Sequence, residues 1–414
     1  MKKVAITGLG AITPLGNSVE EFWQNIIAGK SGAGPITKFD ASKFKTQFAC
    51  EVKSFSPEDY LERKEIKKYD LFTQYAIAAT DEAIQDAGLD FGTMTQEQRF
   101  DVGVIWASGN GGIGTFEEQL DEFHKGDGTP RFNPFFIPKM IVDIAAGVIS
   151  IRNGLHGPNY ATVSACASSN TALIAAYDAI RLGRANIMIA GGSEAAITPA
   201  SIGGFNASQA LSKRNDDPQG ASRPFDANRD GFVAGEGAGA LILEEWEHAV
   251  SRGAKIYAEL TGGGMAADAY HLTATPADGI GALLGMQKAL NDAGLTPDKI
   301  DYINTHATST PLGDISELVA VKTLFGNHTP AISATKSMTG HLLGAAGAIE
   351  SIISVLAIQN NIIPPTINTQ NIDSAIPSGL NIITQQAVKT KVNYVLNNTF
   401  GFGGHTASTI FKKV

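Results

Sequence analysis

The most informative pattern in the chain is a short apolar strand followed by a helix that is apolar on almost every side. The strand is predicted around Tyr160, and the helix covers residues 172–182, with Asp178 and Arg181 as its only charges. A helix that has no polar face is normally buried, because it has no side to present to water. We therefore expect this helix in the interior, with the small residues before it forming a strand-to-helix turn.

The same order of elements occurs twice along the chain. The matching segments are 7–10 with 261–264, 83–89 with 289–295, and 164–166 with 333–335. The last two segments each precede an apolar helix, which leads to an apolar strand with glycines after it. An internal repeat of this kind indicates repeated structural units. We predict two similar halves, residues 1–255 with the extra loops and residues 256–414.

Strands that alternate with helices favour mostly parallel sheets that are covered on both faces. The nearly uncharged helices after Cys166 and after His341 are too apolar for an outer layer, so we place them between two sheets. The predicted fold class is therefore α/β, a five-layered αβαβα body built from two similar halves. The apolar run at residues 349–358 contains Glu350 and is too short to span a bilayer, so we expect no membrane segment.

The composition and the charge narrow the classes of function. The net charge is −9, which argues against general nucleic-acid binding. The two cysteines make no disulfide framework, and a free catalytic thiol suits the reducing cytoplasm. Cys50 lies in an alternating stretch and is interpreted as a strand residue. Metal-ligand spacings such as Cys-x-x-Cys or His-Glu-x-x-His are missing, so we expect no metal site.

Cys166 is the candidate nucleophile. It precedes the apolar helix, where unpaired backbone N–H groups and the positive end of the helix dipole favour an anion. A thiol in this position is expected to lose its proton more easily, which is how a nucleophilic cysteine is made. The alternative interpretation is a small core thiol, since free cysteine is among the most buried residue types.

Polar residues also follow other predicted strands. His306 ends one strand, Lys336 and His341 lie at the entry to the second apolar helix, and the glycine-rich segment 400–404 follows a third strand. Ligands of α/β sheets collect beyond the carboxyl ends of strands, so these residues are expected to converge. The alternative is structural, with Lys336 neutralising Glu350 in a buried helix. No carboxylate is obviously available for a hydrolase triad.

Two further segments have the composition of an interaction surface. Arg63, Lys64, Lys67 and Lys68 are close in sequence, and helical spacing would put the last three on one face. Such a cluster is either a solvated surface or a docking site for an acidic partner. The loop at residues 126–138 is rich in phenylalanine and proline, and we expect its rings to line a pocket or an interface.

These motifs resemble the β-ketoacyl-acyl carrier protein synthases of the type II elongating group, in the thiolase-like superfamily. The resemblance covers essentially the whole chain, and its motifs lie at residues 164–169, 223–226, 229–237, 306–310, 336–347 and 400–404. It implies a condensing enzyme that extends an acyl chain by two carbons in type II fatty acid biosynthesis. A condensing enzyme of a polyene or polyketide pathway is the alternative. A non-catalytic chain-length subunit would lack Cys166, and a thioester hydrolase would need neither Lys336 nor a second histidine.

The resemblance also implies the steps of the reaction. Cys166 takes the acyl chain from acyl carrier protein as a thioester, and malonyl carrier protein then enters. His306 and His341 bind the malonyl thioester carbonyl and stabilise the enolate that forms when carbon dioxide leaves. The carbanion attacks the acyl-cysteine, and the resulting oxyanion is bound by the backbone N–H groups of Cys166 and Phe402. Phe402 also gates the acyl pocket.

The remaining roles that the resemblance implies fall into four groups. They are Lys336, Glu350 and Phe400 as supports of the histidine site, Thr273, Thr308 and Thr310 as pantetheine-binding residues, Asn110, Phe136 and Phe205 as the acyl pocket, and Lys64, Lys67 and Lys68 as the docking site for acyl carrier protein. We further expect a cytoplasmic homodimer that needs no cofactor. Ala307, Asn110 and the pair His405-Thr406 depart from the family pattern, and Asn110 bears on acyl chain length and polarity.

Overall fold

The computed structural model describes all 414 residues, which form fifteen strands and fourteen α-helices. The strands are β1 (Val4–Ile12), β2 (Gly34–Pro35), β3 (Phe48–Ala49), β4 (Val102–Ala107), β5 (Asn159–Thr162), β6 (Ile187–Glu194), β7 (Gly237–Glu245), β8 (Ala258–Ala267), β9 (Tyr302–Asn304), β10 (Ala331–Ser333), β11 (Ile362–Ile363), β12 (Asn381–Ile382), β13 (Val388–Lys389), β14 (Tyr394–Gly401) and β15 (His405–Lys412). The helices are α1 (Val19–Ile27), α2 (Arg63–Ile66), α3 (Leu71–Asp86), α4 (Gln96–Phe100), α5 (Ile113–Lys125), α6 (Phe136–Met140), α7 (Ile144–Asn153), α8 (Ser168–Arg181), α9 (Pro199–Ala207), α10 (Trp246–Ser251), α11 (Ile280–Ala293), α12 (Pro311–Phe325), α13 (Lys336–Thr339) and α14 (Ala346–Asn360).

Eleven of the strands form one continuous sheet in the order β12-β10-β9-β14-β15-β8-β1-β7-β6-β4-β5. Apart from the edge strand β12, the order is symmetric about the β8–β1 junction, since β8, β15, β14, β9 and β10 correspond to β1, β7, β6, β4 and β5. The junction is short and pairs Val4, Ala5 and Ile6 with residues 258–260. We expected two separate sheets, and the structure differs because these few hydrogen bonds join them.

The apolar helices α8 and α14 lie between the two halves of this sheet. Both helices contact strands from each half, and the largest hydrophobic core contains residues of both helices and of both sets of strands. Helices α3 and α7 belong to a second core, and α11 and α12 to a third. The layers are therefore helix, sheet, helix, sheet and helix, which confirms the predicted five-layered α/β fold.

Glycines in corresponding strands explain one of the repeated sequence segments. A Cβ atom at Gly10 would lie 2.8 Å from the backbone nitrogen of Ala83 in α3. A Cβ atom at Gly262 would lie 2.5 Å from the carbonyl oxygen of Ala289 in α11. The two outer helices therefore approach β1 and β8 so closely that only glycine fits.

One helical stretch, Leu343–Asn360, is long and apolar enough to cross a membrane, and 89% of it is buried inside the protein. This stretch is longer than the apolar run at residues 349–358, because it consists of α14 and the 3₁₀ turn Leu343–Ala345 directly before it. A core helix meets the same criterion of length and composition. Its position between the sheets accounts for its apolar surface.

Candidate active site

A cavity of about 410 Å³ opens at the carboxyl ends of the parallel strands. Nine of the predicted site residues line it, namely Cys166, Phe205, Thr273, His306, Thr308, Thr310, His341, Phe400 and Phe402. Cys166 follows β5, His306 follows β9 and Phe402 follows β14, so each residue reaches the cavity from a strand end. The structure therefore brings together residues that are up to 236 positions apart in the sequence.

Cys166 sits on a tight turn between β5 and α8. Ala165 before it has a φ of 49°, a left-handed conformation that is strained for a residue with a side chain. The hydroxyl of Ser168 holds this turn, because it donates to the carbonyl of Ala165 at 2.6 Å and accepts from the N–H of Ser164 at 2.9 Å. The turn presents the thiol to the cavity instead of to the core.

The end of β14 packs directly against this turn. A Cβ atom at Gly401 would lie 2.7 Å from the carbonyl oxygen of Ser164 and 2.9 Å from the backbone nitrogen of Cys166. Only glycine permits this approach. The approach places the N–H of Phe402 beside the thiol, where it can donate to a negatively charged sulfur.

In the free site, burial opposes the ionisation of the Cys166 thiol that the helix terminus favours. Burial raises the pKa of the Cys166 thiol to about 12, although the charge of Lys336 and the backbone N–H groups of Phe402 and Cys166 lower it. A thiolate in this apolar setting loses more hydration than these groups restore. The thiol is therefore protonated near neutral pH, and a base must accept its proton when it reacts.

The two histidines face each other in the cavity. The ring centroids of His306 and His341 are 5.2 Å apart and the rings are inclined at 83°. Burial, and then the positive charge of Lys336, lower the pKa of both imidazoles well below the ordinary value. The Nδ1 atoms of both rings are buried without a hydrogen-bond partner. Each ring is therefore neutral, and each can give one N–H to a ligand.

Lys336 and Glu350 form a buried ion pair behind the histidines. Burial raises the pKa of Glu350 to about 7, while Lys336 lowers it. The ion pair between Lys336 and Glu350 that the structural alternative predicted is therefore present. The same lysine also keeps the histidines neutral, so the pair acts on the site without lining the cavity.

The loop that carries Thr308 and Thr310 is held by a buried network. The two hydroxyls lie 3.1 Å apart, and Ser309 between them has a φ of 73°. The N–H of Ser309 donates to Asp314 at 3.1 Å, and Arg229 donates to the carbonyl of Thr310 at 3.0 Å. The motif at residues 229–237 therefore supports the wall of the cavity.

No group of three or more His, Cys, Asp or Glu side chains is placed to hold a metal ion.

Comparison with protein families identifies the family of the chain. Residues 1–249 match the family model for the N-terminal domain of β-ketoacyl synthases, and residues 257–370 match the one for the C-terminal domain. The chain belongs to the β-ketoacyl synthase family. The synthase is 47% identical to 3-oxoacyl-[acyl-carrier-protein] synthase 2 of Synechocystis sp., over 100% of this chain and 98% of that protein. It is 45% identical to the enzyme of the same name from Vibrio harveyi, over 100% and 99% of the two chains.

Solved structures are similar over the same length. A β-ketoacyl synthase from Burkholderia phymatum has 35% identity and a TM-score of 0.92, with 100% of both chains covered. The ishigamide ketosynthase/chain length factor has 34% identity and a TM-score of 0.91, with 100% of this chain and 99% of that one covered. The predicted thiolase-like fold and the predicted family are confirmed.

The structure does not bring all the predicted acyl-pocket residues to the cavity. Phe205 lines it. The side chain of Asn110 is exposed, and Phe136 stacks on Phe132 and Phe116 at centroid distances of 5.4 and 6.2 Å. Neither Asn110 nor Phe136 lines the cavity of the single chain.

The basic segment of the synthase is not one helical face. Helix α2 ends at Ile66, so Lys67 caps it and Lys68 lies beyond it. Lys64 pairs with Glu62 at 2.7 Å, while the ammonium of Lys68 lies 5.9 Å from the ring centroid of Phe135. The prediction of a shared helical face is wrong, because α2 is a single turn and does not include Lys67 or Lys68. The segment instead borders the loop at residues 126–138, here called the aromatic loop.

Sequence reasoning missed Glu317, which positions His306. Its carboxylate accepts the N–H of His306 at 3.0 Å and that of Ala307 at 2.8 Å, and it is buried in α12. Burial raises the pKa of Glu317 to about 7. The sequence offers only one indication of this role: Glu317 is a glutamate among the apolar residues of a helix, eleven positions after His306. Ala307 is also buried, and it does not adopt a left-handed backbone conformation that would favour glycine.

Proposed function

We propose that the synthase is a 3-oxoacyl-[acyl-carrier-protein] synthase that condenses malonyl carrier protein with an acyl chain held on Cys166. The product is two carbons longer, as type II fatty acid biosynthesis requires. The observation that carries this proposal is the convergence of Cys166, His306 and His341 on one cavity, with both imidazoles neutral. The names of the relatives from Synechocystis sp. and Vibrio harveyi support it.

Cys166 is acylated first. Its sulfur attacks the thioester carbonyl of acyl carrier protein, and its proton passes to a neutral imidazole of the site. The N–H groups of Cys166 and Phe402 receive the oxyanion of the tetrahedral intermediate. The carbon–sulfur bond to pantetheine then breaks, and the leaving thiolate takes up the proton. A thiol that is protonated in the free site suits this order, because it becomes a nucleophile only when a substrate is bound.

Decarboxylation follows at the histidines. Imidazole N–H groups of His306 and His341 donate to the malonyl thioester oxygen, and carbon dioxide leaves while its bonding electrons form the enolate. Neutral donors suit this step, since the charge that develops lies on oxygen in a site closed to water. The enolate carbon attacks the acyl thioester of Cys166. The new carbon–carbon bond forms, and the thiolate of Cys166 leaves and takes up one proton from solvent, which balances the loss of the malonyl carboxylate as carbon dioxide.

Carrier-bound substrates account for the remaining residues. Thr273, Thr308 and Thr310 line the cavity and would hydrogen-bond the pantetheine arm. The arm arrives on the carrier protein, so the synthase needs no cofactor of its own. Lys64, Lys67 and Lys68 would dock the carrier protein, and a relative offers a parallel, since the AntDE:AntF structure contains a type II polyketide carrier protein with its ketosynthase.

We propose that the synthase is a homodimer and that it lies in the cytoplasm. Strand β5 is the edge of the large sheet, and Tyr160 and Val163 beside it are 44% and 60% exposed. An edge strand with exposed apolar side chains favours pairing with another chain. The aromatic loop adds exposed Phe132 and Phe135. We also propose that residues 1–255 and 256–414 are the two structural halves of each subunit.

Product analysis tests the function. The purified synthase, malonyl carrier protein and acyl carrier proteins of stepped chain length should give 3-oxoacyl products two carbons longer than each primer, measured by mass spectrometry. Release of the free acid would mean a hydrolase and would contradict the proposal. The range of accepted primers distinguishes fatty acid synthesis from a polyene or polyketide pathway, which the likeness to the ishigamide ketosynthase keeps as the second candidate.

A further inference from the structure

Glu194 is a buried carboxylate at the carboxyl end of β6, and it has no part in the reaction described above. It accepts four hydrogen bonds at distances from 2.8 to 3.1 Å. The donors are the hydroxyl of Ser108 and the N–H groups of Gly109, Asn110 and Gly344. One side chain therefore ties the loop after β4 to the turn that follows His341.

The backbone segments around Glu194 pack so closely against its carboxylate that there is no room for a side chain at Gly109 or Gly344. A Cβ atom at Gly109 would lie 2.9 Å from Glu194 Oε2, and one at Gly344 would lie 2.8 Å from the same oxygen. Leu343 lines the cavity and has a φ of 49°, which is strained for leucine. Such strain persists only where neighbouring contacts fix the backbone on both sides. The bond from Gly344 to Glu194 is one of these contacts, and His341 lies two residues before Leu343.

The same carboxylate lies behind the nucleophile. Gly109 is close to the turn that precedes Cys166, since its Cβ position would be 3.8 Å from the carbonyl oxygen of Ala165. The negative charge of Glu194 raises the pKa of the Cys166 thiol, against the effect of Lys336. The carboxylate therefore touches the site in two ways, by fixing backbone and by its charge.

We propose that Glu194 is a positioning residue of the synthase, whose carboxylate holds the turn after His341 and the loop after β4 against the turn that carries Cys166. The inference rests on the proposed roles of Cys166 and His341. A carboxylate is needed because its two oxygens accept all four bonds. A glutamine would turn its own N–H groups toward some of these donors.

Three variants test the inference, each compared with wild type. Glu194→Gln removes the charge and part of the acceptor capacity, whereas Glu194→Asp keeps the charge but is too short to reach both segments. Glu244→Gln is the matched control, since Glu244 is also fully buried and hydrogen-bonded in the neighbouring strand β7. It pairs with Ile187 at the start of β6, so it lies at the opposite end of that strand from Glu194. Malonyl decarboxylation and the pH profile of Cys166 alkylation by iodoacetamide are measured for each folded variant.

Glu194→Gln and Glu194→Asp should each lower decarboxylation about 10- to 100-fold, because a small displacement of a catalytic group has effects of this size. Glu194→Gln should also move the alkylation profile to lower pH, while Glu194→Asp leaves it in place. If Glu194→Gln does not fold, the decarboxylation rate of Glu194→Asp alone tests the positioning role. Glu244→Gln should change thermal stability alone.

A Glu194 variant that decarboxylates at the wild-type rate would overturn the inference. So would a Glu194→Gln protein with an unchanged alkylation profile, because the carboxylate would then have no effect on the turn that carries Cys166. Wild-type enzyme that forms no thioester on Cys166 would instead refute the proposed function, and the inference with it.

Discussion

At the scale of single residues, Cys166 is subject to opposing effects. The strained turn at Ala165 presents the thiol to the cavity, and the N–H of Phe402 lies beside it. Burial nevertheless keeps the thiol protonated, since desolvation of a thiolate outweighs these partners. The thiolate fraction of the free site is therefore small near neutral pH, and it rises as the pH increases.

The pH dependence of alkylation tests this account of the thiol. Because the pKa of Cys166 is about 12, the thiolate fraction should rise with pH throughout the range in which the protein is folded. The rate of alkylation by iodoacetamide should increase about tenfold for each unit of pH, with no plateau near neutral pH. Labelling is assigned to Cys166 by peptide mass spectrometry, with Cys50 as the buried internal control. A plateau near neutral pH would show a depressed pKa and contradict the account.

The histidines should be separable from the cysteine. His306→Ala and His341→Ala should each lose malonyl decarboxylation by roughly a hundredfold or more, the usual effect of removing one donor to an oxyanion. Acyl transfer to Cys166 should persist in part in each variant, because the other imidazole is left to accept the proton. Carbon dioxide release and the intact mass of the acylated protein are measured in parallel. Near-normal decarboxylation by either variant would remove that histidine from the site.

The sequence was sufficient to predict Cys166, His306 and His341 as site residues, because Cys166 and His306 follow predicted strands, His341 lies at the entry to the second apolar helix, and all three lie in motifs that resemble the family. It was not sufficient for Glu194 and Glu317, since a single glutamate has no pattern and its role depends on which N–H groups the fold brings to it. The pKa of Cys166 could not be predicted from the sequence either. Helix position is readable from a sequence, but burial of the thiol depends on segments far along the chain.

At the scale of elements, the length of a helix decides what its surface can do. The lysines at 64, 67 and 68 have helical spacing, yet α2 ends at Ile66 and two of them lie outside it. The groove beside them is lined by Lys67, Arg131 and Lys139, from three different segments, and also by Glu118 and Glu122. The charged surface is thus assembled by tertiary structure, and the sequence identified only one of its parts.

Charge reversal of this segment tests carrier-protein docking. Lys64→Glu, Lys67→Glu and Lys68→Glu together should raise the KM for carrier-bound substrate, because the partner is acidic and the enzyme is negatively charged overall. The effect should weaken with salt, which screens charges beyond about 10 Å at 0.1 M. Turnover of a small pantetheine thioester should stay unchanged, since it has no acidic domain.

The matched control reverses Lys2 and Lys3, which precede β1 at the end of the sheet away from the cavity, as the contact of Lys2 with Asn186 shows. This control should leave the KM for both substrates as in wild type. Equal losses for carrier-bound and small substrates in the Lys64, Lys67 and Lys68 variant would mean that the segment serves folding or the active site, and docking would be refuted.

At the scale of the whole molecule, the mirrored strand order explains why the sequence repeat was visible. Glycines at 8, 10, 262 and 264 occur in corresponding strands because both outer helices pack closely there. The junction of the two halves was not predictable, since the pairing of Val4–Ile6 with residues 258–260 leaves no pattern in either strand. The apolar character of α8 and α14 was enough to place both helices between the sheets.

A homodimer is the expected assembly of this molecule. Sedimentation should give a dimer, because Tyr160 in the edge strand β5 and Val163 after it are exposed, as are Phe132 and Phe135 in the loop at residues 126–138. Val163→Lys places a charge on this edge and should shift the equilibrium toward monomer, with loss of activity. Leu182→Lys, at an exposed apolar position at the end of α8, is the control that should remain dimeric. A wild-type protein that is a stable and active monomer would refute the dimer.

The central claim is that an acyl chain on Cys166 is extended by a decarboxylated malonyl unit, and a single-turnover chase tests it most directly. Acyl-enzyme is isolated, mixed with malonyl carrier protein, and followed by intact mass, while carbon dioxide and the carrier-bound product are measured. We predict that the enzyme returns to its unmodified mass as one carbon dioxide and one product longer by two carbons appear per acyl group. Cys166→Ala should form no acyl-enzyme at all. An acyl adduct that persists in Cys166→Ala, or an acyl group released as free acid in the chase, would contradict the account.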